Sequence, residues 1–180
     1  MTTKTLLTAD ELEQMPDDDS VQIELDEGEL IRMPPAGEDH GYIEGRFFGR
    51  LLDFVIKHKL GRVYTGDTGF RLNDATVRSP DVAFVRAERV PKLRAKGFAK
   101  GAPDLAIEIK SESQSYRQLQ RKIKQYFAAG CQVVLIVNRD LQEIDVFKAN
   151  GSETTLRADD LLEIPDLLPG FSVRVGELFE

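Results

Sequence analysis

Three ionisable side chains stand where a soluble core would not choose them. Asp81 opens the apolar segment Val82-Ala83-Phe84-Val85, Glu108 lies inside Leu105-Ala106-Ile107-Glu108-Ile109, and Lys110 closes that second segment. Side chains alternate along a strand, so Ile107 and Ile109 face one way while Asp104, Ala106, Glu108 and Lys110 face the other. A carboxylate on a buried strand is costly unless it is paired, hydrogen-bonded or bound to a metal. If Asp81 comes from the neighbouring strand, two carboxylates converge beside one lysine. That set suits a hard divalent cation such as Mg²⁺, which takes one or two carboxylates and keeps several waters. Such a cation polarises a phosphoryl oxygen and lowers the pKa of a bound water. The lysine then orients that water or stabilises the charge developing on phosphorus. The implied chemistry is metal-assisted phosphodiester hydrolysis. A plain structural reading competes with it: a Glu108–Lys110 surface pair on an edge strand, with Asp81 capping a turn after Pro80. Glu-x-Lys alone is a weak motif, so the residues by themselves leave both readings open.

The elements that must position these residues follow from periodicity. Thr8-Ala9-Asp10-Glu11 fits a capping box, with Leu7 and Leu12 as a hydrophobic staple, and Pro16 with Asp17-Asp18-Asp19 ends this first helix. Val21, Ile23 and Leu25 alternate before Asp26-Glu27-Gly28, and Leu30 to Met33 complete a β-hairpin. A long helix is expected from about Asp39 to Leu60, since Ile43, Phe47, Leu51 and Val55 fall at i+4 steps, with Gly61 as its C-terminal stop. Gly37, Gly41, Gly45 and Gly49 repeat at the same step, and tight packing against another element is the favoured explanation. Short β segments run from Arg62 to Val85. A strand follows at Asp104–Lys110, a helix at Ser111–Gly130 and a fully buried strand at Gln132–Val137. Strand, helix and buried strand make a βαβ unit, so part of the sheet is expected to be parallel. Further strands are expected at Ile144–Phe147 and around Thr154–Leu156, and then an irregular tail, Leu161–Phe179, that covers something apolar.

The 180 residues form one domain by length, and 41% hydrophobic residues supply a real core. One cysteine rules out an intramolecular disulfide, and with two histidines it leaves too few soft ligands for an ordinary structural zinc site. The N-terminus lacks an apolar run of signal-peptide length, and the longest aliphatic run, Val133 to Val137, is far too short to cross a membrane. A soluble, cytoplasmic protein without membrane partners is expected. The net charge of −7 argues at first against nucleic acid, but it is unevenly spread. Residues 9–29 hold ten acids and no base, leaving +3 for the rest. Arg86 to Lys100 carries six bases against one acid and Lys110 to Lys124 five against one, flanking the candidate ligands where a phosphate backbone would lie.

Ser79-Pro80-Asp81-Val82 followed by Ala102-Pro103-Asp104-Leu105-Ala106-Ile107-Glu108-Ile109-Lys110 resembles the PD-(D/E)xK signature of restriction-endonuclease-like nucleases. The surrounding sequence resembles one bacterial branch, the Uma-two family, in Ile23 to Leu30, Met33-Pro34-Pro35, His40, Lys122 to Gly130 and Leu167 to Phe171. The resemblance spans about residues 8 to 179. It implies an α/β (α+β) fold: a restriction-endonuclease-like core with a central mixed β-sheet flanked by helices, the site at the sheet edge, and an N-terminal helix and hairpin, all in a single domain over 1–180. It further implies a Mg²⁺- or Mn²⁺-dependent endonuclease acting on DNA. Asp81 and Glu108 become metal ligands, with the Ile109 carbonyl as a third. Lys110 is the motif lysine, but many members use one from the following helix, here Lys122, and the chain has both. Glu24 matches the acidic hairpin residue, as a site member or as a solvent-facing carboxylate. Leu135 and Asn138 stand where relatives usually carry Trp and Asp, and Gln118 replaces an acid early in the helix, which bears on substrate contacts and helix docking. Double-strand cleavage favours a homodimer or higher homo-oligomer. The alternatives are a catalytically silent nuclease fold serving as a binding or assembly module, and a metal hydrolase of smaller phosphoesters. His40 is read as a local cap with phosphate contact as the rival role, and Cys131 as a buried thiol. Phe127 is taken as core, and Tyr116 and Tyr126 as having no stacking role.

Overall fold

The computed structural model describes residues 6–16, 21–111 and 114–180. Helix α1 (Ala9–Glu13) begins at the expected capping box. Glu11 N–H donates to the Thr8 hydroxyl at 3.2 Å, and Thr8 N–H donates back to the Glu11 carboxylate at 2.7 Å. Leu7 and Leu12 pack with Leu25 and Val77, while the Asp17–Asp19 run lies outside the described residues. The hairpin pairs β1 (Gln22–Asp26) with β2 (Glu29–Met33), Asp26 opposite Glu29. Glu27 and Gly28 both take positive φ, 51° and 87°, the conformation a tight two-residue hairpin turn demands.

Two larger sheets and a two-stranded one make up the β structure of the described residues, and the larger mixed sheet is the expected central one. One has the order β2-β1-β5-β4-β7, adding β4 (Phe70–Asn73), β5 (Thr76–Arg78) and β7 (Ala99–Lys100), which follows the short helix α3 (Val90–Leu93), to the hairpin. The other contains β3 (Gly61–Thr65), β6 (Val82–Arg86), β8 (Leu105–Ile109), β9 (Val133–Asn138), β10 (Glu143–Lys148) and β11 (Glu153–Leu156), in the order β11-β10-β9-β8-β6-β3. Within this sheet β8 and β9 are parallel, joined by α4 (Tyr116–Ala128), and the other pairs are antiparallel. The βαβ unit is therefore real, and the sheet is mixed.

Alternation along β8 divides the layers. Leu105, Ile107 and Ile109 share a core with Ile43, Phe47, Leu51 and Val55 of α2 (Glu38–His58). Ala106 packs under α4 with Leu119, Ile123 and Tyr126. The tail closes the α2 side: the hairpin β12 (Leu161–Glu163) and β13 (Ser172–Arg174) buries Leu162 and Val173, with Leu168 and Phe171 between them. Burying each such side chain is worth about 1.5–3 kcal/mol.

Three local expectations change. Helix α2 ends with Lys59 in the left-handed region (φ 55°), not at Gly61, which instead opens β3 against the Val85 carbonyl, so close that a Cβ would clash. The glycine stripe of α2 is not packed, because Cβ atoms at positions 37, 41, 45 and 49 would meet nothing within 4 Å among the described residues. Helix α4 starts later than expected. Ser115 caps it, and Gln118 serves as the reciprocal capping-box partner, accepting from Ser115 N–H at 2.8 Å, so the missing acid leaves the helix start intact. No described helix is long and apolar enough to cross a membrane.

Candidate metal and phosphodiester site

Strands β6 and β8 pair from Val82–Ile107 to Phe84–Leu105, and continuing that register sets Asp81 opposite Glu108. Opposite residues of an antiparallel pair point to the same face, so the two carboxylates converge at one end of the central strands. The site therefore sits at the ends of interior strands, not along an edge strand. Pro80 stops β6 there, and the Asp81 carboxylate takes over the ladder by accepting the Ile109 N–H at 2.6 Å.

From the α4 side, Lys122 and Tyr126 reach Glu108. Lys122 Nζ lies 2.8 Å from Glu108 Oε2 and 3.2 Å from Glu24 Oε1, and the Tyr126 hydroxyl donates to Glu108 Oε1 at 2.7 Å. Glu24 is only 1% exposed, which overturns the solvent-facing reading. Its other oxygen accepts from Arg78 at 2.8 Å, and Ser79 N–H donates to Oε1 at 3.1 Å. Arg78 also holds Asp26 at 2.8 Å and donates to Gln125. Burial and the neighbouring Glu24 and Asp81 charges, opposed by Lys122, keep the Glu108 carboxyl above the usual carboxylate range. Burial pushes Glu24 the same way, but Lys122 and Arg78 outweigh it and hold Glu24 low. Lys122 would lose its proton more easily on burial, yet Glu108 and Glu24 raise it, so it stays charged.

From the α2 side come His40 and Glu44, one turn apart. His40 Nε2 lies 3.0 Å from Asp81 Oδ1, which makes it a partner of the site and not merely a local cap. That hydrogen bond, more than burial can oppose, raises the imidazole pKa above 6.5. Burial and Asp81 raise Glu44, which receives a long contact from Gly66 N–H at 3.5 Å. One ligand atom each from His40, Glu44 and Asp81 lies within 4.8 Å of the others, a spacing that a single cation can span. Sequence reasoning missed Glu44, Arg78 and Tyr126. The i, i+4 spacing His40–Glu44 and Lys122–Tyr126 was the available signal.

Lys110 is placed differently from Lys122. Its backbone N–H continues the β8–β9 ladder to Val137, while its side chain makes no hydrogen bond or ion pair among the described residues. The basic stretches are also less free than their composition suggests. Arg86 and Arg89 are bound to buried Asp104 at 3.1 and 2.9 Å, and Arg121 to Glu27 at 2.5 Å. Lys92, Arg94, Lys96, Lys100, Arg117 and Lys124 remain exposed. Cys131 is buried, and burial lifts its thiol to about 12. Tyr116 is exposed.

This architecture is a nuclease fold. A crystal structure from Anabaena variabilis ATCC 29413, described as a "putative nuclease belonging to DUF820", superposes with a TM-score of 0.81 over 96% of this chain and 97% of that one, at 22% identity. Residues 9–176 match the model of the Uma2 family, described as "Putative restriction endonuclease", and the chain belongs to that family. Among curated proteins nothing matches.

Proposed function

We propose that the protein is a divalent-metal-dependent endonuclease that hydrolyses DNA phosphodiester bonds at Asp81 and Glu108. The observation carrying this reading is a local charge surplus. Among the described residues Glu24 and Glu108 pair with Arg78 and Lys122, whereas Asp81 and Glu44 have no lysine or arginine paired to them, a formal −2 with His40 neutral. One divalent cation cancels that charge, and the donor set of carboxylates with one imidazole fits Mg²⁺ or Mn²⁺. Asp81 and Glu108 would hold it with the Ile109 carbonyl, and Glu44 and His40 add donors from α2. Bound there, the metal supplies a water of lowered pKa and a Lewis acid for the phosphoryl oxygen.

Lys122 is the acting lysine in this reading. It is already fixed against Glu108, stays protonated, and offers a localised positive charge for the phosphorane. Glu24, with both oxygens engaged by Lys122, Arg78 and Ser79, holds that lysine and is not a ligand. The exposed bases Lys92, Arg94, Lys96 and Lys100 offer phosphate contacts away from the site, too few for salt-resistant binding. A second reading, a catalytically silent binding module, draws on Glu108 having both oxygens already partnered.

Titration with Mg²⁺ and Mn²⁺, alongside cleavage assays on linear, supercoiled, nicked and single-stranded DNA, separates the two. Metal binding lost in Asp81→Ala and Glu108→Ala, with metal-dependent cleavage in the wild type, is the expected result. A wild type that binds no metal would sink the nuclease reading, and binding without cleavage of any DNA form would favour the module or a smaller phosphoester.

A further inference from the structure

Tyr126 is fully buried, one turn beyond Lys122 on the same face of α4. Its surroundings are apolar: Leu119, Ile123, Val134 and Ile136 share its cluster. A phenylalanine would fill this space without bringing a hydroxyl that needs a partner. The hydroxyl instead meets Glu108 Oε1 at 2.7 Å, while Lys122 takes Oε2 at 2.8 Å. Two donors from one rigid helix thus grip the two oxygens of one carboxylate separately. Each carboxylate oxygen accepts twice, so among the described residues one acceptor position per oxygen stays open. Burial and the Glu108 charge push the phenol far above its ordinary range, so it remains a donor.

We infer that Tyr126 is a positioning residue for Glu108, fixing the plane of that carboxylate so that its open positions serve a divalent cation shared with Asp81. The inference rests on the metal-dependent reading above and adds the group that sets the affinity of the site. Groups that orient a ligating side chain typically change metal affinity by about 10–100-fold when removed.

The test is calorimetric titration of Mn²⁺ into wild type, Tyr126→Phe and Ile123→Val, with cleavage rates measured across Mn²⁺ concentration. Tyr126→Phe should bind Mn²⁺ about 10–100-fold more weakly. Its half-saturating Mn²⁺ should rise by the same factor, while its rate at saturating Mn²⁺ stays close to that of the wild type. Ile123→Val, which trims the same cluster without touching the hydroxyl, should lower stability and leave Mn²⁺ affinity alone. Unchanged affinity in a folded Tyr126→Phe overturns the positioning role while leaving the metal site standing. A wild type that binds no Mn²⁺ overturns both. Should Tyr126→Phe fail to fold, 3-fluorotyrosine at position 126 keeps the shape and strengthens the donor. A changed Mn²⁺ affinity then supports the role, and an unchanged one overturns it.

Discussion

The α4 side and the α2 side of the site meet at the ends of β6 and β8 yet balance their charges in opposite ways. On the α4 side Glu24 and Glu108 are almost wholly buried, and every side-chain oxygen has a donor from Arg78, Ser79, Lys122 or Tyr126. On the α2 side Asp81 and His40 keep 15% and 17% of their side-chain surface, and Glu44 has the long Gly66 contact, with Asp81, His40 and Asp67 beside it. The first half is internally complete and holds its groups still. The second half is unbalanced in charge and open to water. In the metal-dependent reading proposed above, the second half would take the cation and the first would hold the groups that assist it.

That contrast breaks most sharply by neutralising one residue from each half. Asp81→Asn keeps an acceptor for the Ile109 N–H but removes the shared negative charge. Cleavage should fall by at least about 10³-fold with little loss of stability, read from a DNA assay and a urea titration. Lys122→Ala should lose both. It leaves Glu108 buried without its cation, which costs about 3–5 kcal/mol for a broken buried pair, and it removes the charge offered to the phosphorane, about 10²–10³-fold in rate. Lys110→Ala should leave stability within about 0.5 kcal/mol, since no ion pair among the described residues is lost. If Lys110→Ala abolishes cleavage while Lys122→Ala only destabilises, the acting lysine is the one on the strand.

How far the sequence foretold this depends on what each residue's neighbours in the chain reveal. Asp81 and Glu108 stood out because strand alternation put charges beside apolar positions, whereas Lys122 was named only by the family resemblance. Glu44 did not, because a glutamate beside the apolar stripe of α2 is indistinguishable from a solvated helix face until the sheet end is known to lie against it. Glu24 stayed ambiguous for the same reason, since a hairpin carboxylate is buried only if α4 crosses over it. Two of the bases are less free than the sequence suggests: Arg86 and Arg89 look available, yet Asp104, fully buried just before β8, takes both. Pairing across the sheet is long-range information that no local pattern carries. The unpacked glycine stripe is the converse case, because the pattern was real and no partner for it stands among the described residues.

A pH titration sharpens the α2 side. Asp81 raises the His40 pKa above 6.5, so the folded state favours the imidazolium. For a raised pKa the stabilisation is fully present below the unfolded value and is lost as pH rises through the folded one. In metal-free protein the unfolding free energy should therefore decline from pH 6.5 upward, and His40→Asn should remove that part of the slope. Equal slopes in the two proteins would mean that the Asp81 contact does not persist in solution.

The smallest expected effect concerns the glycines of α2, where the open half of the site and the exposed helix face run together. Gly41 and Gly45 follow His40 and Glu44, whereas Gly49 stands about two and a half turns beyond His40 on the same stripe. Glycine within a helix costs about 0.5–1 kcal/mol relative to alanine, and a Cβ at position 49 meets nothing within 4 Å. Gly49→Ala should thus raise stability by about that amount in urea unfolding, with cleavage unchanged. Gly45→Ala should gain the same stability, because its Cβ also points into open space. The two variants differ only in their distance from Glu44. A loss of cleavage confined to Gly45→Ala would extend the open half of the site along the helix backbone. A loss of stability at Gly49 would instead mean that this face is covered in solution.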